Sequence, residues 1–270
     1  MNVYRKLDLT KIRNVSNING KILEKFRNAF GNIENTIPYL WGTIGIAINE
    51  DIINKVFGNL EIDSYDILLN PSNIQKLYKY GVSFPDEFID IFPQTMQYLG
   101  LNPNTRDKSD IKPFIKHFAM IRKYITKFSS TTIINDLLDG SVCIGIGSSD
   151  NITRAIRASN GINKRLKYII PRIGGLLWID CMCVPKSAPH PENAFKFINY
   201  LLDSKVSRRI SEYSGASTTS SDQNTDQNIE NLLIGTPSFS KSDNEFDKLM
   251  TRRWSQVKVR DFDMMRDESF

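Results

Sequence analysis

From Leu176 to Val184 the chain is apolar apart from Asp180, and Gly174-Gly175 and Pro185 close the run at its two ends. A run of that length between turn residues predicts a strand covered on both faces. Trp178 and Asp180 lie two residues apart, so on a strand they share a face. A carboxylate beside an indole inside a covered strand is costly unless a cation meets it. After the turn Ala188-Pro189-His190-Pro191 a helix follows, with Glu192 in its first turn. Ala194, Phe195, Ile198, Leu201 and Leu202 give that helix one apolar face at helical spacing.

The same strand and helix signals recur along the chain. Ile44–Asn49 reads as a central strand, preceded by Ile37 to Thr43, and Trp41 within that lead-in reads as core. Leu7 to Phe30 reads as a loop and then an amphipathic helix carrying Ile22, Leu23, Phe26 and Phe30. Asp63–Leu69 opens a helix, and a second, after Pro71, runs to Tyr80 and stops at Gly81. Phe84–Asp90 is expected to open another, ending at Gly100, with Asp86, Glu87 and Asp90 in its first turn and Glu87 and Asp90 on one face. Lys112 to Phe128 reads as one long helix, and Ile133–Leu138 as a short one ended by Gly140. Val142–Ile146 and Leu166–Ile170 read as strands, and Gly147–Asn151 as a turn capping a helix over Ile152–Ala158. Ser204–Tyr213 continues helically, Ser214–Asn224 reads as a mobile polar loop, and a last helix runs from Asp243 to Val257.

A chain of 270 residues has room for one large or two modest α/β domains, and 40% hydrophobic content describes an ordinary globule. No window of eighteen residues is apolar enough to span a membrane. The net charge of +5 is mild and its Lys and Arg are scattered, which speaks against a nucleic-acid stripe. Cys143, Cys181 and Cys183 fall in apolar runs and read as buried small hydrophobes, with neither metal nor disulfide spacing. No P-loop, nucleophile elbow, zinc-protease helix or Cys/His pair is present, so no catalytic residue and no cofactor is expected. The segment Met1 to Asn14 lacks the pattern of a secretory signal as written.

The W-x-D at Trp178 and Asp180, the P-x-x-A at Pro185 to Ala188, and the A-F-x-F-I-N-Y-L-L from Ala194 to Leu202 resemble one family. It is that of the spermidine/putrescine solute-binding proteins of bacterial ABC importers. The resemblance implies an α/β, periplasmic-binding-protein-like (type II) two-lobed fold that closes on a linear polycation, with much of the first lobe missing. It divides the chain into a remnant of lobe 1 (1–40), lobe 2 (41–168), a return to lobe 1 (169–240) and a C-terminal helix packing on lobe 2 (241–270). Trp178 and Asp180 would contact the ligand, Asp90 would stand where relatives carry an amine-binding glutamate, and Glu87 where some carry a second carboxylate. At the Gly147 to Asn151 turn the family has a stacking Trp and an amine-binding Asp. Here Ser148 stands in the first position and Asn151 in the second, with Asp150 one residue away. Ala216 stands where relatives have a ligand-contacting Tyr, and Tyr213 is the nearest aromatic. The partners implied are a polyamine and the membrane permease subunits of an importer, with a monomeric protein in the periplasm. The alternative is a truncated or degenerate relative that binds weakly or not at all.

Overall fold

A computed structural model of the protein describes residues 3–30, 33–160, 165–221 and 244–259. The chain runs through α1 (Gly20–Phe30), β1 (Ile37–Asn49), α2 (Glu50–Phe57), α3 (Asp66–Leu69), α4 (Pro71–Leu77), β2 (Val82–Phe84) and α5 (Phe92–Tyr98). It continues through α6 (Ile111–Ile121), β3 (Lys127–Phe128), α7 (Ile133–Asp139), β4 (Ile144–Ser148), α8 (Ser149–Ser159) and β5 (Leu166–Ile169). The last elements are β6 (Leu176–Met182), α9 (Pro191–Leu201), α10 (Ser204–Ser214), β7 (Ser217–Thr218) and α11 (Asn244–Lys258). Two compact units divide it: Met1–Gly42 with Leu177–Leu232, and Thr43–Leu176 with Leu233–Phe270.

The first unit forms around one apolar cluster. Leu7, Ile12, Ile18, Ile37 and Val184 meet Phe195, Ile198 and Leu202, three of the residues that the sequence places on the inner face of α9. Each of these side chains contributes about 1.5–3 kcal/mol when fully buried. Ile22 and Phe26 bury the inner face of α1 in the same way; the side chain of Phe30 lies outside the described residues. The Asp203 carboxylate caps α10 by accepting the N–H groups of Lys205 and Val206 at 3.0 and 3.2 Å.

Two expectations fail in this unit. β6 is covered only at Leu176 and Leu177; Trp178 and Ile179 are half-buried, and Asp180 and Cys181 are exposed. An exposed Asp180 keeps its hydration, so the strand does not require a buried cation to neutralise it. Cys181 is therefore not a buried hydrophobe and Cys183 is only half-covered, whereas Cys143 is buried. The polar tract after Ser214 is also not a free loop. Ala216, Thr218, Thr219 and Ser220 are buried, and β7 pairs antiparallel with β1 at Leu40 and Trp41. Small hydroxyl residues fit there because the backbone does the pairing: Thr219 N–H donates to Tyr39 O, and Asn19 N–H to Thr219 O. Asp222, Gln223 and Asn224 lie outside the described residues. Trp41 is core, its Nε1–H donating to Thr218 O at 3.0 Å.

In the second unit the strand order is β3-β2-β4-β1-β5, with β1 antiparallel to β4 and β5, and β2 parallel to β3 and β4. Ile44 to Asn49 is thus flanked by strands on both sides. Ala47, Ile133, Leu137, Val142, Ile152, Ala155 and Leu166 fill one layer beside the sheet. An aromatic cluster fills another, with Phe114, Phe118 and Phe128 around Trp254 of α11 at centroid distances of 4.9–5.8 Å. Gly140 ends α7 in the left-handed conformation, as its place predicts.

Helix boundaries differ from the sequence reading where tertiary partners decide. The long helix stops at Ile121, because Thr126 pairs with Val82: its Oγ1 donates to Val82 O at 2.7 Å and accepts Val82 N–H at 2.8 Å. Lys127 and Phe128 then lie beside β2 as a strand. The helix expected from Phe84 begins only at Phe92, after a 3-10 turn over Phe88–Asp90. α8 starts at Ser149, earlier than expected, so of the residues read as a turn Gly147 and Ser148 end β4 and Ser149 to Asn151 form the first helical turn. Asp243 lies outside the described residues.

Candidate carboxylate clusters in the two units

In the second unit, the segment after β2 carries three carboxylates with different surroundings. Asp86 is held structurally: its carboxylate pairs with Lys258 at 2.6 Å, and its carbonyl accepts Trp254 Nε1–H at 2.8 Å. Glu87 is exposed and in extended backbone, and Asp90 is half-buried in the 3-10 turn. Because these residues precede α5, they do not complement its dipole as the sequence suggests. Burial first, and the like charge of Glu87 second, push the Asp90 carboxyl up to about 6. Gln94 Nε2 donates to the Asp90 carbonyl at 3.0 Å and ties the turn to α5.

Several carboxylates of this unit have a cation. Asp51 pairs with Arg165, Asp63 with Arg172, Asp136 with Lys127 and Asp247 with Arg106, at 2.6–2.8 Å. Glu87 and Asp90 have no ion-pair partner among the described residues, and neither has Asp150.

The first turn of α8 lies against the same region. Asn151 Nδ2 donates to Ser130 O at 3.4 Å, while Ser130 Oγ accepts the N–H of Asp86 at 3.0 Å. Ser130 thus joins the turn bearing Asn151 to the segment bearing Glu87 and Asp90. Ser148 occupies the N-cap position but makes no side-chain cap bond; Ser149 Oγ instead accepts Thr43 N–H at 3.1 Å. Asn151 Oδ1 accepts from Arg154 at 2.5 Å, so its amide is engaged locally. Asp150 stands near the half-buried Tyr168, whose phenol bonds Thr43 Oγ1 and Thr43 O at 2.7 and 3.0 Å. The partial positive charge of a helix N-terminus disfavours a cation, so of the residues in this turn Asp150 is the one able to attract one. Asp150 and Asn151 share the first turn of α8, Ser148 ends β4 just before it, and Ser130 links that turn to the Asp90 segment.

In the first unit, β6 presents Trp178 and Asp180. The Trp178 Nε1–H is buried and has no acceptor among the described residues. Tyr39 of β1 stands near Asp180, and burial together with that carboxylate raises its phenol above the ordinary range. Sequence reasoning passed over Tyr39, since nothing in the lead-in to β1 shows which strand will flank it. Ala216 is buried in this unit, whereas Tyr213 is 90% exposed.

Residues 4–232 match the bacterial extracellular solute-binding protein family. The chain belongs to that family. It is 38% identical over 213 residues to the putrescine-binding periplasmic protein SpuD of Pseudomonas aeruginosa, covering 78% of this chain and 58% of SpuD. It is 31% identical over 273 residues to the putrescine-binding periplasmic protein PotF of Escherichia coli, covering 95% of this chain and 73% of PotF. Among solved structures it superposes on PotD of Streptococcus pneumoniae, a spermidine/putrescine ABC transporter substrate-binding protein, with a TM-score of 0.75 at 21% identity, covering 96% of this chain and 78% of that one. The TpPotD lipoprotein of Treponema pallidum gives the same TM-score of 0.75 at 20% identity, with 96% and 79% covered. The fold is that of type II periplasmic binding proteins. This chain spans just under three-fifths of the length of SpuD.

Proposed function

We propose that this chain binds a polyamine of the putrescine or spermidine class, as the substrate-capturing subunit of an ABC importer. The observation that carries the reading is the pair Glu87 and Asp90. Asp90 is half-buried beside a like charge, with no ion-pair partner among the described residues to offset it. A desolvated carboxylate of this kind is an electrostatic deficit that an external ammonium group relieves, and a charge-assisted hydrogen bond to one contributes about 1.5–3 kcal/mol. In the same unit Asp150 offers a further carboxylate; in the first unit, taken by itself, Asp180 offers a carboxylate and Trp178 an aromatic face for methylene groups and cations. The names of SpuD, PotF and PotD point to the same ligand class. Ser148 and Asn151 take no part in charge pairing with the ligand in this reading. The family supports a transport role rather than an enzymatic one. The partners that follow are membrane permease subunits, and the location is the periplasmic side, with the protein acting as a monomer. Among the described residues no helix is long and apolar enough to cross a membrane.

Intrinsic fluorescence tests the reading. Trp41 and Trp254 are buried, so a change on adding putrescine reports Trp178. A saturable change that is lost in Trp178→Phe supports ligand contact in the first unit, and an affinity by equilibrium dialysis weakened tenfold or more in Asp90→Asn supports ligand contact in the second. No change with a folded protein, together with no measurable binding by equilibrium dialysis, refutes it.

A further inference from the structure

The second unit carries a face of a different kind at the ends of α2 and α4. The Lys55 ammonium lies 5.8 Å from the centre of the Tyr80 ring, and that of Lys79 lies 5.0 Å from the same ring. Lys76 stands 5.3 Å from the ring of Phe57, so contacts run both ways between α2 and the α4 end. Tyr78 packs edge-on against Tyr124 at 6.3 Å, and the Lys123 ammonium lies 5.0 Å from the Tyr124 ring. The four lysines are exposed, the rings beneath them are half-buried, and Tyr78 is 45% exposed. None of the four lysines has an ion pair among the described residues, although lysines elsewhere do: Lys6 with Glu34, Lys11 with Glu192, Lys108 with Glu245.

We propose that this Lys–aromatic face docks the protein on an anionic phospholipid surface. Four unpaired ammonium groups are complementary to an array of phosphates, and each basic side chain near such a surface strengthens binding about fivefold. The composition is all Lys: compact point charges suit a fluid array of phosphates, whereas a fixed acidic protein site favours the planar fork of Arg. The faces of Phe57, Tyr80 and Tyr124 are already occupied by the face's own ammonium groups, so they are not open for stacking with bases, as single-stranded nucleic acid needs. Tyr78 and the exposed Met120, one turn before Tyr124 in sequence, supply the amphipathic and apolar tips that settle at headgroup level. This inference is independent of the polyamine reading.

Co-sedimentation of the full chain with vesicles of phosphatidylglycerol and phosphatidylcholine, against vesicles of phosphatidylcholine alone, tests it. Binding is expected only to the anionic vesicles and is expected to fall steeply between low and high salt. The double variant Lys55→Gln/Lys79→Gln should weaken it roughly 25-fold. The control Lys186→Gln/Lys196→Gln removes the same charge from exposed positions in the other unit and should leave binding within about twofold. Equal sedimentation with both vesicle types, or equal loss in the two double variants, overturns the proposal. So does binding to polyglutamate or to a single-stranded oligonucleotide with none to anionic vesicles.

Discussion

Replacing Asp90 by Asn should stabilise the protein, and by an amount that depends on pH in a defined direction. Burial and Glu87 raise the Asp90 carboxyl from 3.8 to about 6 in the folded chain. The folded state therefore holds the proton more tightly than the unfolded state. Asp90's contribution to stability is full below pH 3.8 and is lost as pH rises through 6, at a cost of roughly 3 kcal/mol once the group is ionised. Water reaching the half-buried group lowers this to about 2–3 kcal/mol. Asparagine has the shape of the protonated carboxyl and never ionises. Urea unfolding followed by circular dichroism should show the advantage of Asp90→Asn over the parent chain growing by about 2 kcal/mol or more between pH 4 and pH 8. A difference that stays flat across that range would mean that Asp90 is not desolvated in the folded protein.

Other outcomes follow from the same geometry. If ionised Asp90 receives the ammonium, putrescine affinity should fall about tenfold between pH 7.5 and pH 5, and Glu87→Gln should reduce that loss by lowering the Asp90 carboxyl towards its ordinary value; titrations at the two pH values measure both. Gly81 has φ +83° and an added Cβ would lie 1.8 Å from Ser141 O, so Gly81→Ala should lower the unfolding midpoint severely or prevent folding. Trp41→Phe removes the bond from Nε1 to Thr218 O and leaves a buried carbonyl unpaired, which should cost about 1–3 kcal/mol in urea unfolding.

The parts of the fold that were legible in the sequence are those fixed by local pattern. The inner face of α9, the stop of α7 at Gly140, and the central strand Ile44–Asn49 follow from helical spacing, a left-handed glycine and an apolar run. What was not legible depends on partners distant in sequence. Thr126 leaves the helix, and Lys127 and Phe128 form a strand after it, because Val82 offers both a donor and an acceptor. Thr218 and Thr219 become buried because β1 needs a neighbour there, not because their side chains are apolar. The site divides in the same way. The residue types at Trp178, Asp180 and Asp90 were readable; that Asp86 is spent on Lys258 while Glu87 and Asp90 have no ion-pair partner among the described residues is visible only in three dimensions.

The most direct test of the account is titration calorimetry of the folded chain with putrescine and, separately, with butane-1,4-diol, which keeps the methylene chain but has no charge. If carboxylates such as Glu87 and Asp90, which have no ion pair among the described residues, make this a polyamine-binding protein, putrescine should bind saturably and the diol should give no measurable binding. Absence of putrescine binding by a folded chain, or equal binding of the diol, would contradict it.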